Sequence, residues 1–215
     1  MSRSLSKQFW DSNAKLLVKI KGYQDYVNSV AISTDRQTIV SGDFDGTVRL
    51  WDSNAKLLAE GKGYQDSVNS VAISTDRHII VSGGQDGTVQ LWDSNAKLLA
   101  KGKGHQGSVN SVAISTDGRT IVSGGRDGTV RLWDSNAKLL DIINGHQGSV
   151  NSVAISTDGR TIVSGGSDGT VRLWDSNAKL LAKGKGHQGS VNSVAISTDG
   201  RTIVSGGSDG TVRLW

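Results

Sequence analysis

Apolar positions in residues 175–215 fall into short runs that Gly, Ser, Asn and Asp interrupt every few positions. None of the runs has the three-to-four spacing of a helix face. Four of them, at 179–183, 191–197, 201–206 and 211–215, carry the Val, Ile and Leu that favour strands. In the last, Val212 and Leu214 alternate with the residues between them, the period of a pleated strand. In Val194-Ala195-Ile196 apolar residues occupy both faces, so this sheet needs cover on two sides. Asp199-Gly200 and Asp209-Gly210 supply the positive φ that tight antiparallel turns use, and Ser176-Asn177 marks a third turn. The pattern predicts a four-stranded antiparallel meander.

That unit recurs. Tryptophan stands at positions 10, 51, 92, 133, 174 and 215, always 41 residues apart. The chain divides into units 11–51, 52–92, 93–133, 134–174 and 175–215, and the third and fifth differ only in Arg126 against Ser208. A fixed period of this length means stacked supersecondary units. Sheets that need cover on both faces obtain it from their neighbours around an axis. The expected fold is therefore all-β: a β-propeller array of five four-stranded blades. Trp10 and Trp215 claim equivalent places, so residues 1–10 are expected to be a disordered or displaced tail.

Composition narrows the functions. The formal charge of +4 is modest, and there is no Cys, which excludes disulfides and thiolate metal sites. No apolar run approaches a membrane span, and the first ten residues lack the apolar stretch of a secretory signal. The expectation is a cytoplasmic protein with no cofactor and no membrane partner. Pro is absent, which copying of one Pro-less founder unit explains.

The unit resembles a blade of the WD-repeat family. The matching residues are Gly186-His187 before the second run, Asp209-Gly210 before the strand ending in Trp215, the Trp133-Asp134 and Trp174-Asp175 pairs, and the segment SGGSDGTVRLWD. The resemblance spans residues 10–215. It implies a polar network of His, Ser, Asp and Trp inside each blade. In this chain that means His105, Ser123, Asp127 and Trp133; His146, Ser164, Asp168 and Trp174; and His187, Ser205, Asp209 and Trp215. The first two units keep Ser41, Asp45 and Trp51, and Ser82, Asp86 and Trp92, but place Tyr23 and Tyr64 where the His belongs. Their first turns read Asp35-Arg36 and Asp76-Arg77, without the Gly of later units. Tyr offers one hydroxyl where His offers two nitrogens. The first two blades are expected to be less firmly fixed than the last three.

Ser, His and Asp in every unit invite a hydrolase reading, but a triad needs an exposed hydroxyl and an oxyanion hole. A hydroxyl shared with Trp inside a blade has neither role, so no catalytic residue is assigned. One His per blade does not converge on a metal, and His78 reads as a solvated surface residue. Lys179, Lys183, Lys185, Arg201 and Arg213 could attract nucleic acid, yet no aromatic residues are interleaved to stack on bases, and Lys on outer strands also discourages edge pairing. Nucleic acid is not an expected partner.

The most variable place precedes the second Asp-Gly turn and holds Phe44, Gln85, Arg126, Ser167 and Ser208. With Asp43 these positions would form a partner-contact ring; neutral variation at an exposed turn is the simpler reading. Ile142 and Ile143 could form an apolar contact on an outer strand. In the family the run after Trp-Asp is the outer strand of the preceding blade. The first run, 14–20, can therefore complete the last blade, in the same chain or in another. Matching inter-blade surfaces favour a homo-oligomer, a dimer in the simplest case, over a closed five-bladed monomer. The function expected is a non-enzymatic scaffold for protein–protein interaction that assembles by blade-to-blade packing. The alternatives are a multivalent glycan- or polyanion-binding ring, or a newly amplified or engineered array without an evolved ligand.

Overall fold

The structure, a computed structural model, describes residues 5–10, 16–23, 26–75 and 78–215; for 5–10, 16–19 and 21–23 the description is of the backbone. Every regular element described is a β-strand, and every pairing is antiparallel. No helix among these residues is long and apolar enough to cross a membrane. A two-stranded sheet comes first, β1 (Leu5–Trp10) with β2 (Leu16–Tyr23). Blade one follows as β3 (Val27–Ile32), β4 (Thr38–Asp43), β5 (Thr47–Asp52) and β6 (Leu57–Lys62). Blade two is β7 (Val68–Ile73), β8 (Ile80–Gly84), β9 (Thr88–Trp92) and β10 (Leu98–Lys103). Blade three is β11 (Val109–Ile114), β12 (Ile121–Gly125), β13 (Thr129–Trp133) and β14 (Leu139–Asn144). Blade four is β15 (Val150–Ile155), β16 (Thr161–Gly166), β17 (Thr170–Asp175) and β18 (Leu180–Lys185). Blade five has three strands, β19 (Val191–Ile196), β20 (Ile203–Gly207) and β21 (Val212–Leu214). The four-strand meander read from the unit is thus present, cut one strand short in the last blade.

The turns explain why the meander folds locally. Between β11 and β12, Asp117 accepts the Ser115 hydroxyl at 2.6 Å and the Arg119 amide at 3.0 Å, while Gly118 sits at φ 70°. In blade one Arg36 holds the same left-handed conformation at φ 60°. A β-carbon there costs about 1–2 kcal/mol. Residues 76–77, the corresponding turn of blade two, lie outside the described residues. After Trp51, Trp92, Trp133 and Trp174 the Asp closes the next turn: Asp134 accepts the Asn136 and Lys138 amides at 2.8 and 2.9 Å and holds Ala137 at φ 55°.

Blades pack through one repeated contact. Val150 and Val153 of β15 press on Gly124 of β12, where an added β-carbon would lie 2.6 Å from one valine methyl and 3.0 Å from the other. Only Gly lets the sheets come this close. The resulting layers bury Val130, Leu132 and Trp174 together. Inner strands are also hooked to each other. Asn110 donates its side-chain amide to the Val150 carbonyl at 2.9 Å, and Ser111 accepts the Val153 amide at 3.1 Å; the three other blade junctions repeat this pair of bonds. The five inner strands line one shared cavity of about 380 Å3, to which Ala31, Ala72, Ala113, Ala154 and Ala195 each contribute. The sheets are therefore wedges disposed around a hub.

The faces at the two ends of the array are less covered than the internal ones, although Ile20 of β2 packs on Ile39 and Trp51 of blade one. Val212 and Leu214 are 72% and 73% exposed, whereas Val130 and Leu132 at the same places of blade three are 1% and 3%. Val30 is 55% exposed against 5% for Val71. Residues 5–10, expected to be disordered or displaced, form β1 on the edge of β2; residues 1–4 lie outside the described residues. The pairings Lys7 with Ile20, Gln8 with Lys19 and Trp10 with Leu16 reproduce those of Val48 with Gly61, Arg49 with Glu60 and Trp51 with Leu57, 41 residues on. β1 thus occupies, beside β2, the place β5 takes beside β6. Its Phe-Trp ending stands where the blades have Leu-Trp, which accounts for the shared register.

Candidate functional site

The turn after β12 and the start of β13 bring Asp127, Thr129, Arg131 and Trp133 to one side of the blade, and the loop before β11 brings His105 to meet them. The Trp133 indole donates to the Ser123 hydroxyl at 2.8 Å, and His105 Nε2 lies 2.7 Å from the same oxygen. His105 Nδ1 lies 3.0 Å from Asp127. With the imidazole proton on Nδ1, the chain of donors runs Trp to Ser to His to Asp without a gap. Asp127 also accepts the Gln106 amide at 2.9 Å and the Thr129 hydroxyl at 2.8 Å. Burial opposes the Asp127 charge, but Gln106, His105 and Thr129 outweigh it and hold the carboxyl well below the usual carboxylate range. Burial pushes His105 below the ordinary imidazole value against the pull of Asp127. The pair is therefore a neutral imidazole on a carboxylate.

Blade four repeats the arrangement with Trp174 and His146 on Ser164 at 2.9 and 2.8 Å and His146 on Asp168 at 3.0 Å. In blade five Trp215 and His187 meet Ser205 at 2.9 and 2.8 Å, and His187 meets Asp209 at 3.0 Å. Sequence reasoning missed two members. Thr129 accepts from Arg131 Nε at 3.2 Å, and Arg131 reaches Asp127 at 3.3 Å, buried at 6% exposure. Arg172 does the same in blade four. The recurrence of Thr-x-Arg before every late Trp was the available signal. Arg213, weighed above as a surface charge, belongs to this network through Thr211 and Asp209.

Blade two is built differently. The Tyr64 hydroxyl lies 2.8 Å from Ser82, which Trp92 also reaches at 2.7 Å. Burial pushes the Tyr64 phenol far up, so it stays protonated. The ring has no second polar atom for Asp86, and Lys101 takes that carboxylate at 3.3 Å. Gln90 replaces the Arg and donates to the Gly63 carbonyl at 2.9 Å. In blade one Trp51 donates to Ser41 at 3.1 Å. The Tyr23 side chain lies outside the described residues. Asp43 stands at the place of Gly125, where a β-carbon would overlap the His105 ring. Its carboxylate pairs with Arg49, which also binds Asp45 at 2.9 Å and approaches Glu60 at 3.5 Å.

Chemically the network locks a blade. Ser123, Ser164 and Ser205 are 0–1% exposed with both neighbours in place, so their oxygens are not presented to a substrate. The His residues of different blades serve separate networks, and no metal-holding group of three or more His, Asp or Glu is found among the described residues. His78 is exposed. Phe44, Gln85, Arg126, Ser167 and Ser208 are all exposed, as a contact ring requires. Asp43 is not available to that ring: it is 1% exposed because Arg49 draws it inside. Of the apolar pair on β14, Ile142 is exposed, but Ile143 is buried against blade four with Trp174.

The family described as WD domain, G-beta repeat matches five successive segments, residues 14–52, 55–93, 96–134, 137–175 and 178–215. A comparison with curated proteins found no match.

Proposed function

The chain belongs to the WD domain, G-beta repeat family, and from that premise we propose that it is a non-enzymatic scaffold for protein interaction whose first partner is another copy of itself. The observation that carries this is the contrast between the ends and the middle. Every internal junction buries a Val-Leu face under the two valines of the next inner strand, and the chain carries one incompletely buried example of each half. Blade five offers Val212, Leu214 and Gly206, with the hooks Asn192 and Ser193 exposed; blade one offers Val30 and Ile32, while Ile20 of β2 already packs with its Ile39, Trp51 and half-buried Val27. The halves fit because the internal copies fit. Scaling the ~1.5–3 kcal/mol of a fully buried apolar side chain by the exposure of Val212, Leu214, Val30 and Ile32 gives a gross ~4–8 kcal/mol per junction, before association entropy. Where the ring does not close within one chain, a dimer is the smallest assembly that pairs each of these faces with its complement.

Cysteine cross-linking tests this, because the chain has no Cys of its own. An added β-carbon on Gly42 lies 3.1 Å from Val68 Cβ, and Gly206 and Val27 are the corresponding positions at the open ends. That spacing is within a few tenths of an ångström of disulfide geometry. The double variant Val27→Cys/Gly206→Cys is expected to form covalent dimers on mild oxidation. An intramolecular bridge in a monomer would establish a closed five-bladed ring instead, and absence of any bridge would refute the junction.

A further inference from the structure

The two-stranded sheet before blade one has the place of the outer half of a blade. Ile20 of β2 is 2% exposed and packs with Ile39 and Trp51 of blade one, as Ile143 of β14 packs with Ile162 and Trp174 of blade four. β2 therefore lies where the outer strand of a preceding blade belongs. Blade five is its complement. β21 pairs with β20 alone, whereas β17, at the same place of blade four, pairs with both β16 and β18. In blade four Arg172 stands opposite Lys183. The same register, applied to a second copy of the chain seated on blade one, sets Arg213 of that copy opposite Lys19 of β2.

That place is already taken. Gln8 of β1 stands opposite Lys19, and Lys7 stands opposite Ile20. β1 and β21 of a second copy are thus alternative occupants of one strand position. They are unequal occupants. By register Lys7 and Phe9 fall at the places of Val48 and Leu50, both 0% exposed in blade one, where β21 carries Val212 and Leu214. Lys is almost never fully buried without a partner charge, so β1 is a poor strand for a covered junction and β21 a good one. The tether acts the other way. Only residues 11–15 separate β1 from β2, which holds β1 at an effective concentration of roughly millimolar.

We infer that β1 is a stopper: it caps β2 in the separate chain, and assembly exchanges it for β21 of a second copy, whose fifth blade β2 then completes. The inference rests on the scaffold reading and adds the step that limits it. Association becomes a competition between a weak strand on a short tether and a stronger strand without one.

Oxidation of the full chain carrying Gln8→Cys, Lys19→Cys and Arg213→Cys reads that competition, since the chain has no other Cys. Gln90 holds the place of Arg213 in blade two, so a blade folds without Arg there. Opposed residues of an antiparallel pair lie within disulfide reach. The expected product at high dilution is a bridge between positions 8 and 19 of one chain. As concentration rises it should give way to a bridge from position 19 to position 213 of another chain. Lys7→Pro/Gln8→Pro removes whichever of two neighbouring amides faces β2, and should tighten association about tenfold in sedimentation equilibrium. An 8–19 bridge that persists, or no bridge at all, in chains whose mass shows assembly would overturn the proposal and leave the scaffold reading standing. An unchanged dissociation constant in the proline variant would do the same. A 19–213 bridge within one chain, or no association of any variant, would overturn both.

Discussion

Replacing Ser164 by Ala removes one oxygen that serves two buried partners. The Trp174 indole N–H at 2.9 Å and His146 Nε2 at 2.8 Å would both face a methyl group, and Ser164 is 0% exposed, so solvent does not reach them. A neutral hydrogen bond contributes ~0.5–1.5 kcal/mol net, and a buried polar group left without a partner costs ~1–3 kcal/mol. Two bonds sharing one oxygen give an expected loss of about 2–4 kcal/mol, confined mainly to blade four. Because each wedge contacts only its neighbours, the loss should show locally. Native-state hydrogen exchange of β16 and β17 amides reads it, with β12 and β13 of blade three as the internal reference. Protection in blade four should fall by roughly thirty- to several-hundred-fold relative to that reference, since each 1.4 kcal/mol is about a factor of ten. A drop of less than threefold would mean the Ser-centred network does not hold the blade, and the reasoning would fail.

Stability should decline on acidification in two stages, read as the urea midpoint against pH. His105 and His146 are pushed below their ordinary 6.5 by burial, so the unfolded chain takes up protons first and stability falls as pH drops below about 6.5. Asp127 and Asp168 are held well below their ordinary 3.8, chiefly by Gln106 and His146 against the opposing effect of burial, so a second loss begins below that value. A midpoint flat from pH 7 to 3 would contradict both. Tyr64→His should recover the bridge to Asp86 and raise the protection of β8 amides by about fivefold, from ~1 kcal/mol; unchanged exchange would mean that Gln90 and Lys101 have already made the bridge redundant. Gly125→Ala should lower the thermal midpoint, because the new β-carbon overlaps the His105 ring; ~1–3 kcal/mol is the usual cost of overpacking, and an unaltered midpoint would show that the ring moves freely.

Much of this was legible in the sequence because the period forces it. The 41-residue Trp spacing, the Asp-Gly turns and apolar residues on both strand faces lead to stacked four-stranded sheets, and the sheets are there. The Ser, His, Asp and Trp positions of the last three blades do come together, as the family resemblance implied. What stayed hidden depends on packing. Arg213 read as a surface charge and its counterparts Arg131 and Arg172 drew no reading, yet Thr129 and Thr170 turn those two inward. Asp43 read as a partner contact because it adjoins a variable turn, yet the place is the one a Gly keeps clear for the His ring. Ile143 read as exposed because it lies on an outer strand, and it is buried because it fills the space that Gly leaves beside the next Trp in other units.

The account stands or falls on whether the open wedge faces find each other between chains. Sedimentation equilibrium of the unmodified protein across micromolar concentrations measures this directly. The expected result is a species of about 45 kDa, twice the 22.6 kDa of the chain, or a higher whole-number multiple. A single species at 22.6 kDa throughout the range would contradict it.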